Sequence, residues 1–247
     1  MNLFDKVNQQ IQEILKNQNI DFYKQKDNQH KLPTSDAVFC AEDTIRNRYF
    51  FKAIQKAIKD TNKKDITIVD AGSGTGILGI MALHLGAKKV IFIEENPYSL
   101  NLSKKIVEFF DLGKKVEFYN KDANNIELKE KIDILISETI KTNFKNEDFP
   151  HIIKNFQNQF GNTFKIIPEG FKLNFYTPAY ELLFTKLFNS YNLSPPYQID
   201  SNGHKKVFID GTSYMYKDIY LNSGECMSYF NILPLSKNEE SSMFNLI

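Results

Sequence analysis

An apolar run, Ile66-Thr67-Ile68-Val69, ends in a carboxylate, Asp70, and then in three glycines at alternate positions, Gly72, Gly74 and Gly76. A helix-like stretch leads to a second apolar run, Val90-Ile91-Phe92-Ile93, which ends in Glu94. This is the layout of a βαβ unit that binds a nucleoside, with glycines where backbone must turn sharply and come close to a ligand. The gap from Gly76 to Glu94 suits a ribose-binding acid at the tip of the second strand.

Charge selects among nucleosides. A dinucleotide rests its pyrophosphate on the glycine turn and the helix N-terminus, and a carboxylate just before that turn repels it. Asp70 stands there, and the third glycine comes one position early for G-x-G-x-x-G, because position 77 is Ile. S-adenosyl-L-methionine carries a sulfonium and an ammonium in place of phosphate, so Asp70 favours it. A dinucleotide site, or a plain strand-turn-helix with packing glycines, is the alternative reading of the same residues.

At 247 residues the chain has room for one large α/β domain with a small appendage. A net charge of +1 creates no global field that would favour nucleic acid or a membrane surface. Cys40 and Cys226 are too far apart in sequence to suggest a metal site, and the expectation is no metal and a reduced interior. The polar N-terminus lacks a signal-peptide core, and no run approaches a membrane span. A soluble cytoplasmic protein is expected.

Spacing of Leu3, Val7, Ile11 and Leu15 predicts a helix over 3–17, followed by a polar connection over 17–31. A long helix is predicted over 43–58. Strands at 66–70, 89–94, 115–119, 132–136 and 163–167 then alternate with helices at 76–85, 98–110 and 148–160, and a turn spans 121–131. Such alternation predicts an α/β fold, a Rossmann-like doubly wound sheet with ligands beyond the carboxyl ends of the strands. After Pro168 the chain turns Tyr- and Phe-rich. Segments 171–176, 206–209, 214–221 and 228–233 read as β, while 181–188 reads as helical. The expected organisation is an N-terminal helix and connection (1–34), a nucleoside-binding domain (35–168), and a small β-rich C-terminal unit (169–247) with a frayed tail from 236.

Two further places carry candidate chemistry. Asp122-Ala123 follows the third strand, where a carboxylate and the next backbone N–H can meet an adenine edge; an Asp there is also a common turn or cap residue. Glu138 sits where the fourth strand empties into the cleft, and Glu147 follows nine residues on. Two acids beside a sulfonium make a site for a cationic nitrogen. Glu147 and Asp148 could equally begin the next helix, where acids suit the macrodipole.

These motifs together resemble the protein arginine methyltransferases, class I S-adenosylmethionine-dependent enzymes. The resemblance rests on Asp43-x-x-Arg46-Asn47, on Val69 to Leu78, on Gly86 to Glu94, and on Ile136-Ser137-Glu138 followed by Glu147, over about residues 35–170. The Glu147 to Pro150 ending looks most like the monomethylating branch. The resemblance implies that Arg46 holds the cofactor's carboxylate, that Asp70 with Gly72, Gly74 and Gly76 seats its methionine part, and that Glu94 holds the ribose. It implies that Glu138 and Glu147 clamp the acceptor.

The departures fall on the acceptor side. Thr139-Ile140-Lys141-Thr142 replaces the family's Trp-Met-Gly-Tyr, and the absence of Trp leaves the family's His–Trp motif of the β domain incomplete. The β region is under half the family's usual length, with no obvious dimerisation arm. The expected partner is a protein, peptide or small-molecule nitrogen acceptor, with neither nucleic acid nor membrane, and a homodimer is left open. The alternatives are a small-molecule or peptide amine or amidine N-methyltransferase and, in another class, a non-catalytic S-adenosylmethionine-binding partner of an active enzyme.

Overall fold

In this computed structural model the described residues are 1–18, 32–139, 149–176, 182–189, 208–222 and 225–226. Strands β1 (Thr67–Ala71), β2 (Lys89–Ile93), β3 (Val116–Tyr119), β4 (Ile134–Ser137) and β5 (Lys165–Ile167) form one parallel sheet in the order β3-β2-β1-β4-β5. Ile68 and Val69, Val90 to Ile93, and Ile134 to Ile136 are completely buried. Burial on both faces explains why these strands are continuous apolar runs and not alternating ones. Strand order reverses on either side of β1, which opens a crevice at the carboxyl ends of β1 and β4.

Helix α1 (Leu3–Lys16) starts at Asn2, whose side chain accepts from the Asp5 N–H, and buries Phe4, Val7, Ile11 and Leu15. Two helices follow the connection, where the sequence predicts one. Helix α2 (Thr34–Glu42) precedes α3 (Thr44–Thr61), and Asp43 lies between them with its carboxylate accepting from the Arg46 N–H at 3.1 Å, an N-cap for α3. Helix α4 (Ile77–His84) packs on β1 and β2. Helix α5 (Pro97–Phe109) is capped by Asn96, with Pro97 in its first turn. Helix α6 (Phe149–Phe160) leans on β4. None of the described helices is long and apolar enough to cross a membrane.

Two glycines set the approach of α4. Gly76 enters it with φ of +77°, a conformation that L side chains rarely adopt, and Gly79 brings helix against strand. A Cβ on Gly79 would lie 2.3 Å from Cε1 of Phe92.

Strands β6 (Gly170–Tyr176), β7 (Leu182–Asn189), β8 (Phe208–Tyr216) and β9 (Ile219–Asn222) make a second, antiparallel sheet in the order β7-β6-β8-β9. The helix expected over 181–188 is instead β7. Its apolar residues fall at helical spacing, but pairing with β6 over seven positions overrides that local preference. This sheet touches α3 through the Tyr216 hydroxyl, which donates to Asp60 at 3.3 Å, and through the ion pairs Lys217–Asp60 and Lys56–Asp218. The segments expected as β at 228–233 and as a frayed tail from 236 lie outside the described residues, as does 19–31 of the polar connection.

Candidate cofactor and acceptor cleft

Asp70, the penultimate residue of β1, is 2% exposed, and its Oδ2 accepts from the Gly79 N–H in the first turn of α4 at 2.8 Å. Burial pushes this carboxyl up to about 7. The Gly79 N–H opposes that rise, Glu94 and Glu138 add to it, and the Arg46 guanidinium counters it. A cationic ligand beside Asp70 would favour its ionised form.

Glu94 follows β2 and is 8% exposed. Its Oε2 accepts from the Gly74 N–H at 2.7 Å and its Oε1 from the Asn96 N–H at 2.8 Å. Burial raises this carboxyl as well, against the lowering effect of those two N–H groups. One acid therefore ties the glycine turn to the start of α5. The turn is also pinned by the Gly72 and Ser73 N–H groups, which donate to the Ile93 carbonyl at 2.9 and 3.0 Å.

Arg46 lies in the first turn of α3, 3% exposed, and reaches across the crevice. Its Nη2 is 2.5 Å from Oε2 of Glu138, the residue after β4, and its guanidinium carbon stands 4.9 Å from the centre of the Phe50 ring. The sequence separation of the two is large; the parallel sheet and α3 bring them together.

The crevice so formed contains about 390 Å³ of empty space, part of it open to solvent. Arg46, Asp70, Gly72, Gly74 and Glu138 line it, as do Ser73 and Thr75. Ala37, Cys40 and Ala41 of α2 supply the opposite wall. Reading the sequence missed this wall: Pro33-Thr34-Ser35-Asp36 is a helix start, with an acid in the first turn, and would have signalled it.

The residues fit the amino-acid end of S-adenosylmethionine. Ser73 Oγ is buried without a hydrogen-bond partner among the described residues, and Ser73 lines the crevice. A Cβ on Gly74 would come within 3.2 Å of Ala37 Cβ, filling the space between turn and wall. The donor set matches too, with a buried cation for a carboxylate and a buried carboxylate for an ammonium.

Other expected residues lie apart from this lining. Gly76 turns the chain into α4, with its N–H donating to the Ser73 carbonyl at 2.7 Å. Asp122 folds back on its own turn: Oδ1 accepts from the Asn124 N–H at 2.9 Å and Oδ2 from the Asn125 amide at 3.2 Å. Ala123 is buried, and its carbonyl accepts from Asn155 at 2.9 Å. Glu147 lies outside the described residues. Thr139, the first of the departures from the family, sits over the turn, with its methyl 2.4 Å from where a Gly72 Cβ would be.

Comparison with known proteins bears on family and fold. Residues 8–167, well over half of the chain, match the family model described as PRMT5 arginine-N-methyltransferase. Protein arginine N-methyltransferase 7 of Drosophila ananassae is 32% identical over 111 residues, which is 42% of this chain and 16% of that protein. Protein arginine N-methyltransferase 6 of Danio rerio is 31% identical over 96 residues, 39% of this chain and 27% of that protein. The chain thus spans less than a third of the length of these relatives, and they come from more than one branch. Among solved structures, PRMT6 with SAH matches with a TM-score of 0.61 at 16% identity, over 83% of this chain and 88% of that one. The Trypanosoma brucei PRMT1 enzyme-prozyme complex with AdoHcy matches at 0.61 and 14% identity, over 78% and 81%. At such identities the structures establish the shared fold, a Rossmann-like parallel sheet with a smaller antiparallel sheet. On the strength of the family match, the chain belongs to the arginine N-methyltransferase family.

Proposed function

We propose that this chain transfers a methyl group from S-adenosyl-L-methionine to a cationic nitrogen, the guanidinium of an arginine in a protein or peptide. The observation that carries this reading is the contact between Arg46 and Glu138. Glu138 already grips a guanidinium at 2.5 Å, at the edge of a crevice whose other residues suit an amino acid with a positive charge. In this reading Arg46 holds the cofactor's carboxylate, Asp70 and Ser73 with Gly72 and Gly74 seat its methionine part, and Glu94 holds its ribose. Gly76 shapes the turn, while Asp122 and Ala123 serve the turn after β3 and take no part in this reading.

The bound cofactor supplies a methyl group on a sulfonium, an electrophile that needs no metal. The protein's task is to present the nitrogen. A guanidinium stays protonated at neutral pH, so Glu138 and Glu147 would accept charge-assisted hydrogen bonds from the two nitrogens that do not react. That arrangement would draw positive charge away from the third nitrogen and turn it toward the methyl, which would pass to it as the carbon–sulfur bond breaks and S-adenosylhomocysteine leaves. Homologues called arginine N-methyltransferases support the acceptor class.

A second reading, a non-catalytic cofactor-binding partner, is favoured by Thr139 standing where the family carries Trp, and by a structural neighbour whose complex pairs an enzyme with a prozyme. A homodimer is proposed within the first reading. Cys40 and Cys226 form no disulfide with each other, which fits a cytoplasmic setting. Radiolabelled methyl transfer into arginine peptides and free amines, beside calorimetry with S-adenosylhomocysteine, separates the readings. Label in arginine supports the first, label in amines alone a small-molecule enzyme, and binding without transfer the partner.

A further inference from the structure

Asn47 is completely buried next to Arg46, and both ends of its amide are engaged. Oδ1 accepts from Arg46 Nη1 at 2.8 Å, and Nδ2 donates to the Ala41 carbonyl at 2.7 Å. The amide's orientation follows from its partners, because a guanidinium can only donate and a carbonyl can only accept. Ala41 is in the last turn of α2 and lines the crevice. Its carbonyl also accepts from Gln12 of α1 at 2.6 Å.

The guanidinium of Arg46 is thereby held from three sides. Asn47 takes Nη1, the Phe50 ring lies against one face, and Glu138 takes Nη2. A planar fork fixed at one edge keeps its other donors aimed in one direction. A neutral amide does this without adding a second negative charge beside a cation that Glu138 already pairs. An aspartate would accept the same bond but add a carboxylate that repels the carboxylate of a ligand.

We propose that Asn47 is a positioning residue, which aims the Arg46 guanidinium and so makes the crevice select nucleoside ligands that carry an amino-acid carboxylate. This rests on the reading of Arg46 as the group that holds that carboxylate.

The test compares two ligands on the full chain by calorimetry. S-adenosylhomocysteine carries the carboxylate; 5′-methylthioadenosine keeps the adenosine and thioether but lacks it. Asn47→Leu should weaken S-adenosylhomocysteine roughly tenfold, the size of a lost hydrogen bond to a charged group, and leave methylthioadenosine within about twofold. Equal losses for both ligands would mark Asn47 as merely structural and overturn the proposal, as would unchanged affinity for S-adenosylhomocysteine. Should Asn47→Leu fail to fold, Asn47→Ser carries the same comparison, since its shorter side chain loses the Arg46 bond in a polar setting. A wild-type chain that binds neither ligand ends the reading of the crevice itself, and the proposal with it, before any substitution is made.

Discussion

Asp70, Glu94, Asp122 and Glu138 lie at the carboxyl ends of β1 to β4, yet they do two different jobs. Asp70, Glu94 and Glu138 each reach out to another element: Asp70 to the first turn of α4, Glu94 to the glycine turn and the start of α5, and Glu138 to Arg46 of α3. Asp122, after β3, closes its own turn through Asn124 and Asn125. The difference lies in which N–H groups the neighbouring chain offers. At the ends of β1, β2 and β4, helices and turns converge; they bury Asp70 and Glu94 and leave Glu138 partly exposed. Nearer the sheet edge, at β3, local backbone N–H groups take their place. Asp122 thus differs in having only local partners, whereas Asp70, Glu94 and Glu138 each join segments separated in sequence.

Substitutions can break or sharpen that contrast. Glu138→Gln should have the largest effect, lowering methyl transfer into an arginine peptide by roughly 10²–10³-fold, as expected for a preorganised electrostatic group. Unchanged transfer in the radiolabel assay would remove Glu138 from the acceptor clamp. Glu94→Ala should weaken S-adenosylhomocysteine by roughly tenfold to a hundredfold, since it loses both a ligand contact and the anchor of the glycine turn. Calorimetry that finds no change would put Glu94 with Asp122 among the purely local acids.

Protonation gives a third, smaller test. Asp70 is held near 7, above its ordinary range, chiefly by burial. A cation binds its ionised form, so cofactor affinity should be level above pH 7 and fall by roughly tenfold per unit below it. Folding alone has the opposite sign: the folded state prefers the protonated acid, so its stability cost is absent below about pH 4 and grows as pH rises toward 7. Asp70→Asn should therefore gain melting temperature relative to the parent at pH 8 and not at pH 4. Equal gaps at both values would show that ionisation is not what Asp70 contributes. Asp122→Asn should have the smallest effect, changing S-adenosylhomocysteine affinity by less than about twofold if its own turn is all it serves. A larger loss would restore the adenine role.

The parallel sheet was legible because strands buried on both faces must be apolar along their buried positions, as Ile68–Val69, Val90–Ile93 and Ile134–Ile136 are. The acids and glycines were legible for a related reason, since polar residues or glycines at the ends of such runs need a purpose. Helix α2 was not legible. Its buried residues, Thr34, Ala37, Val38 and Ala41, are small, and its large apolar residue, Phe39, faces solvent, so it shows little periodicity. Strand β7 was misread because its partner β6 decides its conformation, and no local pattern reports a pairing. The contact between Arg46 and Glu138 was likewise invisible as a contact, although each residue had been singled out. Sequence spacing gives no distance between an early helix and the fourth strand; only the closed sheet does.

Thr34, at the start of α2, shares its hydroxyl with Ser99 at 2.9 Å and with the Asn96 amide at 3.2 Å, while Asn96 also donates to the Leu32 carbonyl and caps α5. The backbone N–H of Asn96 donates to Glu94. The beginning of the crevice's outer wall is thus hinged on the same half-turn that anchors Glu94, and peeling the wall back from this end would disturb the cap of α5 and the hold on Glu94 together.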